Sequence, residues 1–125
     1  MDGAKIRDFN DLIVWQKSME LAQKVYVVTQ TFPKLEVFGL VAQLRRSAVS
    51  VPSNIAEGNG RRTTRDYVSF LYIARGSLAE LRTQLTLARK LGYLPESAEI
   101  TTLADEIGRI LNGLIASLKA RQRGV

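Results

Sequence analysis

Neither cysteine nor histidine occurs among the 125 residues of this chain. The lack of cysteine excludes a disulfide framework and thiolate chemistry, and it is consistent with a reducing compartment. The lack of histidine removes the usual near-neutral general base and the commonest metal ligand. The twelve acidic residues are scattered, whereas a site for a hard cation would need clustered carboxylates. We therefore expect no enzymatic activity, no metal site and no cofactor.

The chain also lacks a long apolar run and an amino-terminal signal pattern. No apolar segment approaches the roughly 20 residues that cross a bilayer. The first eleven residues contain three acids and lack the basic, apolar and small-residue order of a secretory signal. Apolar residues make up 46% of the chain and are spread along it, which favours one domain over residues 1–125. We expect a cytoplasmic protein without a membrane partner.

Positive charge is the main compositional excess. The formal net charge is +6, and twelve of the eighteen cationic residues are arginine. Arginine makes planar bidentate contacts with phosphate and carboxylate and stacks on bases, so this bias favours polyanions or acidic partners. A mildly basic protein that binds nothing through its charge is the alternative.

The spacing of apolar residues predicts four helices. The first helix is predicted over residues 11–31, capped by Asn10 or Asp11, and the second over residues 35–59, with a kink at Pro52. The glycines of Gly58-Asn59-Gly60 are expected to allow positive φ at the connection that follows. The predicted inward stripes are Leu12, Trp15, Met19, Ala22 and Tyr26 in helix one, and Leu40, Leu44, Ala48, Val51 and Ile55 in helix two.

The third and fourth helices are predicted over residues 64–91 and 97–120. Helix three has a heptad seam, and further apolar residues outside it imply either a central helix or a subunit contact. Short connections between four long helices predict an all-α, up-and-down antiparallel four-helix bundle. The predicted seam is Tyr67, Leu71, Ala74, Leu78, Leu81, Leu85 and Ala88, and the apolar residues outside it are Phe70, Ile73, Leu87 and Leu91.

Four segments recur in order and spacing in one known family: Phe38-Gly39-Leu40, Arg45-Arg46, PSNIAEG over 52–58, and GSLAE over 76–80. Over residues 9–94 the chain resembles the bacterial four-helix-bundle family encoded within 23S rRNA intervening sequences. The resemblance implies a ring-like homo-oligomer, a homopentamer. It also implies a relation to accessory proteins of diversity-generating retroelements, in which a basic pentamer contacts reverse transcriptase and nucleic acid. It assigns no catalytic role to any motif residue.

One group of arginines is a candidate nucleic-acid interface, consisting of Arg45, Arg46, Arg61, Arg62 and Arg65. A turn after helix two brings the last three to one end of the bundle. Adjacent residues on a helix point about 100° apart, so Arg45 and Arg46 cannot both belong to one flat surface. One of them is predicted to pair with Glu57 or Glu80 across an interface. No recognition module for bases is present in the sequence, so we expect little sequence selectivity.

A second group, Arg75, Arg82 and Arg89, forms a stripe because its members are seven residues apart. Three explanations remain open: pairing with another helix or subunit, contact with nucleic acid, and simple solvation. Gly76 would let another backbone approach this part of the helix. The basic end of helix four, with Lys119, Arg121 and Arg123, is explained by the helix macrodipole without a ligand.

Three functions are compatible with the sequence. The first is a non-enzymatic homo-oligomeric scaffold that binds RNA or DNA through its basic surface. The second is a protein-interaction scaffold or adaptor whose arginines serve subunit contacts, with no nucleic-acid binding. Separately, the family resemblance implies a reverse transcriptase as partner if one is encoded nearby. The third is an enzyme for a phosphorylated substrate, which would need Glu57 or Glu80 in a pocket beside Arg45 or Arg46.

Overall fold

The computed structural model describes residues 8–95 and 99–124, apart from the side chains of residues 123 and 124. These residues form four α-helices and no strand: α1 (Ile13–Thr29), α2 (Leu40–Asn59), α3 (Thr64–Lys90) and α4 (Glu99–Gly124). Two short 3-10 turns, Phe9–Asp11 and Lys34–Glu36, precede α1 and α2. The prediction of an all-α protein is confirmed.

Each helix packs against its neighbours in the chain, and α4 closes the bundle against α1. The direction of packing follows from the ion pairs between α1 and α4. Lys17 lies 3.2 Å from Glu106, and Lys24, two turns further along α1, lies 3.3 Å from the earlier residue Glu99. The two helices are therefore antiparallel, as expected for an up-and-down bundle.

The beginning of α1 differs from the prediction because Asp8 caps the chain earlier. Its carboxylate accepts a 2.8 Å hydrogen bond from the Asn10 amide, which stabilises the 3-10 turn. As a result α1 begins at Ile13. The helix ends at Thr29, two residues before the predicted end. The Thr29 hydroxyl donates a 2.7 Å hydrogen bond to the Val25 carbonyl.

The predicted inward face of α1 is wrong at Met19 and Tyr26, whereas Ala22 is buried as predicted. Met19 and Tyr26 are 45% and 42% exposed, and Trp15 is only half-buried, in edge contact with Phe9. Two polar residues occupy core positions instead, because Ser18 and Thr29 satisfy their hydroxyls on carbonyls of their own helix. The buried residues of α1 are Val14, Ser18, Leu21, Ala22, Val25 and Thr29.

The second helix begins at Leu40, five residues later than predicted, because the Lys34–Glu36 turn comes first. The carboxylate of Glu36 accepts hydrogen bonds from the Leu40 amide at 3.2 Å and from the Tyr93 hydroxyl at 3.0 Å, and this second bond raises the pKa of Tyr93. The helix continues through the buried Pro52 to Asn59. All five residues predicted to point inward from α2 are buried.

The seam of α3 is buried as predicted, except that Tyr67 is half-buried. The apolar residues Ile73, Leu87 and Leu91 are about half exposed. Because α3 packs only against α2 and α4 within the described residues, it is not a central helix. Of the two explanations for its second apolar face, a subunit contact stays a prediction.

Candidate nucleic-acid interface

The end of the bundle where α2 meets α3 depends on a close approach at Gly58. A Cβ atom at this position would lie 2.7 Å from the Phe70 Cβ and 3.0 Å from the Tyr67 Cδ1. The prediction of positive φ in this segment is wrong, since Gly92 has the only positive φ in the described part of the chain. Gly58 is needed for space between the helices, and its backbone is helical.

Tyr67 supports the same connection from α3. Its hydroxyl accepts a 3.3 Å hydrogen bond from the Asn59 side-chain amide. Burial raises the pKa of Tyr67, and this hydrogen bond opposes the rise. The first turn of α3 is capped by Thr63, whose hydroxyl accepts from the Asp66 amide at 3.1 Å. These contacts hold the short connection that carries the arginines.

Arg61 is engaged within its own chain. Its guanidinium forms a 2.7 Å ion pair with Glu57 and lies 4.6 Å from the centre of the Phe70 ring. The ion pair and the cation-π contact orient this side chain along the α2–α3 corner. Glu57, one of the two alternative carboxylates of the enzyme hypothesis, is therefore paired with Arg61 and not with Arg45 or Arg46.

Arg62 and Arg65 are exposed at this end. Neither guanidinium has an ion-pair or hydrogen-bond partner within residues 8–95 and 99–122. Thr63 and Asp66 stand beside them in sequence, and Asp66 is the acid nearest to both along the chain. These two arginines have the full donor set of the guanidinium available for an anion.

The last turns of α4 lie at the same end, because α4 is antiparallel to α3. Lys119 of α4 donates a 2.9 Å hydrogen bond to the hydroxyl of Tyr72, which lies in the third turn of α3. This bond lowers the pKa of Tyr72. Arg121 follows half a turn later and is exposed, without a partner in the described structure.

Sequence reasoning missed this contribution from α4. Lys119 and Arg121 were explained by the macrodipole of their own helix, without reference to the connection between α2 and α3. The alternation of helix directions contained the missing signal. In an up-and-down bundle, the carboxyl end of the fourth helix lies beside the amino end of the third. We call Arg61, Arg62, Arg65, Lys119 and Arg121 the basic end.

Arg45 and Arg46 are far from the basic end. Arg46 lies 13 residues before Asn59, the last residue of α2, which is about 20 Å along the helix axis. Arg45 packs on α1, where its Nε donates to the Thr29 hydroxyl at 3.0 Å and its guanidinium lies 4.6 Å from the Tyr26 ring centre. Arg46 is exposed.

The three arginines of the stripe all extend to α4. Arg75 donates to Asn112 at 3.0 Å, Arg82 forms a 2.8 Å ion pair with Asp105, and Arg89 donates to the Thr101 hydroxyl at 2.7 Å. Each of the three side chains therefore connects α3 to α4 within one chain.

The remaining predicted site residues lie on the outer side of α3. Glu80 is exposed and has no partner among the residues that the structure describes. Among the described residues, no atom outside its own helix lies within 4 Å of a Cβ built at Gly76, so none of the other described helices approaches it. Within the described ranges there is also no group of three acidic residues that could hold a metal ion. None of the helices there is long and apolar enough to cross a membrane.

Comparison with known proteins supports the fold. A family model described as 23S rRNA-intervening sequence protein matches residues 10–113. A crystal structure from Bacteroides thetaiotaomicron, of a protein with unknown function from the S23 ribosomal protein family, is similar to the chain with a TM-score of 0.76. The two are 24% identical, and the match covers 82% of this chain and 98% of the other. No curated protein matches the chain.

Proposed function

The chain belongs to the 23S rRNA-intervening sequence protein family, and we propose that it is a cytoplasmic, non-enzymatic, homo-oligomeric scaffold that binds RNA or DNA through its basic end. The net charge of +6 supports attraction to a polyanion. The absence of histidine and cysteine leaves little for acid–base or nucleophilic chemistry. The family description refers to 23S rRNA and assigns no activity.

The observation that carries this proposal is the contrast between the arginines. Arg61 is fixed by Glu57 and Phe70, whereas Arg62 and Arg65 are exposed and without a partner in the described residues. Arg121 adds a third free guanidinium at the same end. Guanidinium groups bind phosphate oxygens in bidentate fashion and carry no base specificity in that contact. The expected ligand is therefore the phosphate backbone.

Self-association is the second part of the proposal. Ile73 and Leu87 of α3 are half exposed, and Phe38, before α2, is 95% exposed. Burial of these side chains in an assembly would remove apolar surface from water, which favours association. The ring-like homopentamer implied by the family resemblance is the assembly that we propose. A ring would present several basic ends to one nucleic acid and raise the affinity through multivalency.

Fluorescence anisotropy with labelled structured RNA, duplex DNA and single strands tests the proposal across a salt series. Light scattering at each salt concentration reports the oligomeric mass. The variant R62A/R65A removes two free guanidiniums, and K34A/K90A removes two exposed charges from the opposite end of the bundle. We expect R62A/R65A to weaken binding about tenfold and to reduce the duplex salt slope by about 1.8, at about 0.9 per phosphate contact.

K34A/K90A should retain nearly the affinity of the unmodified protein. Absence of binding at low salt by an intact oligomer would contradict the nucleic-acid function. Equal losses in the two double variants would mean that net charge, and not the basic end, determines binding.

A protein-interaction scaffold is the alternative, with a reverse transcriptase as partner if one is encoded nearby. The observation in its favour is that several of the conspicuous arginines already have partners within the chain. Arg45, Arg61, Arg75, Arg82 and Arg89 all do. If this alternative holds, the assembly should not bind oligonucleotides, and it should dissociate at high salt.

A further inference from the structure

The outer side of the α2–α3 pair carries a cation and an anion that have no partner among the described residues. Arg46 of α2 and Glu80 of α3 are both exposed. Neither has an ion-pair, hydrogen-bond or ring partner within the part of the chain that the structure describes. The function proposed above does not use either residue, since both lie away from the basic end.

Two hydrogen bonds between side chains fix the level of both residues on the bundle. The Ser47 hydroxyl donates to the Gln84 side-chain carbonyl at 2.7 Å, and the hydroxyls of Ser50 and Ser77 are 2.7 Å apart. Arg46 immediately precedes Ser47, and Glu80 lies about one helical turn from both Ser77 and Gln84. The two charges therefore flank the same seam between α2 and α3.

Apolar and small residues share the side of α3 that carries Glu80. Ile73, Gly76, Glu80 and Leu87 are separated by three, four and seven residues, the spacing of one helical face. Ile73 and Leu87 are 51% and 47% exposed. Gly76 leaves open space, because a Cβ there would meet nothing within 4 Å. We call these four residues together with Arg46 the outer face.

We infer that a second copy of this chain covers the outer face, with Arg46 of one copy paired to Glu80 of the next. This inference rests on the proposed homo-oligomer and identifies its contact. Copies with a net charge of +6 repel each other, so a stable contact between them needs both signs of charge on the contacting surfaces. The outer face supplies both.

Other occupants fit the outer face less well. A nucleic acid would be repelled by Glu80, and an acidic protein would satisfy Arg46 but leave Glu80 facing a like charge. A second copy satisfies the two residues together. Its apolar residues also meet those of the first copy around the open space at Gly76. Charge complementarity therefore selects the chain itself as the occupant.

Charge reversal tests the pairing. The variants R46E and E80R each place like charges opposite each other, and we expect each to raise the dissociation constant of the assembly at least about tenfold, measured by analytical ultracentrifugation. The variant R46E/E80R restores opposite charges and should recover most of the assembly. R109E is the matched control, since Arg109 is an exposed arginine of α4 without a partner in the described residues.

A mixture of the two single variants gives the decisive result. The glutamate introduced by R46E can pair with the arginine introduced by E80R only when they lie on different copies. We expect the equimolar mixture to assemble at lower concentration than either variant alone. Circular dichroism should show that both variants keep their helices, because positions 46 and 80 are exposed.

Three results would overturn the inference. If R46E/E80R recovers assembly but the mixture does not, the two residues pair within one chain. If both single variants assemble as well as the unmodified protein, another surface forms the contact and the proposed oligomer remains. If the unmodified protein is a monomer at all concentrations, the proposed assembly fails together with its contact, while the oligonucleotide titration still tests the basic end.

Discussion

Two parts of α3 carry arginines with opposite roles in the fold. At its beginning, Arg65 and the preceding Arg62 have no partner among the residues that the structure describes, whereas Arg75, Arg82 and Arg89 are bound to α4. The stripe lies along the middle and end of α3, where a neighbouring helix runs beside it within reach of a long side chain. At the end of the bundle the helices stop, and solvent takes the place of a partner. The availability of an arginine for a ligand thus depends on whether a partner group lies within reach of its side chain more than on the local density of positive charge.

The largest effect on stability is expected from a change at Gly58, where α2 and α3 approach each other beside the basic end. G58A places a Cβ 2.7 Å from the Phe70 Cβ, and the overpacking should reduce the free energy of unfolding by about 1–3 kcal/mol. G113A in α4 is the control, because a Cβ there meets nothing within 4 Å and alanine favours a helix by about 0.5–1 kcal/mol. Urea unfolding measures both. Equal stability of the two variants would show that α2 and α3 can separate at Gly58 without cost.

A direct comparison of the two arginine groups should give the next largest effect. We expect R62A/R65A to lose about tenfold in affinity for duplex DNA, which is about 1.4 kcal/mol, and R75A/R89A to stay close to the unmodified protein. Both variants remove two positive charges from the same chain. Anisotropy at one fixed salt concentration compares them. A greater loss in R75A/R89A would reverse our distinction between free and engaged arginines.

Within the stripe, the ion pair between Arg82 and Asp105 should contribute little to stability. Both side chains are about half exposed, and exposed pairs typically have coupling energies of about 0.2–1 kcal/mol. A double-mutant cycle with R82A, D105A and the double variant measures the coupling energy. Added salt should reduce it, since exposed charges are screened. A coupling well above this range would indicate that the stripe is a major source of bundle stability.

The smallest effect concerns the order in which two tyrosines ionise. Burial raises the pKa of Tyr67 at the basic end, and the hydrogen bond from Lys119 lowers the pKa of Tyr72 beside the stripe. Tyr67 therefore contributes stability below its unfolded pKa that is lost as the pH rises through its folded pKa. Tyr72 contributes stability above its unfolded pKa that is lost as the pH falls through its folded pKa. Ultraviolet titration of Y67F and Y72F should show Tyr72 ionising first, and the reverse order would contradict the assigned environments.

More of the fold than of the candidate site could be predicted from the sequence. The bounds of α3 differ from the prediction by one residue at Lys90, since Thr63 is a clear cap and Gly92, with φ +82, ends the helix region. The loop before α2 was less predictable. Glu36 holds it by hydrogen bonds to the Leu40 amide and to Tyr93, a partner 57 residues away. A contact at that separation leaves no local trace in the sequence.

The sequence by itself determined the helical class, the number of helices and the buried faces of α2 and α3, because apolar periodicity is a local property. It also placed Arg61, Arg62 and Arg65 together, since they share one connection. Only the tertiary structure decided that Ser18 and Thr29 enter the core, that Arg121 joins the basic end and that Arg61 is engaged while Arg62 is free. These outcomes depend on which side chains of other turns and helices lie within hydrogen-bonding reach, and that distance is set by the packing of the whole bundle.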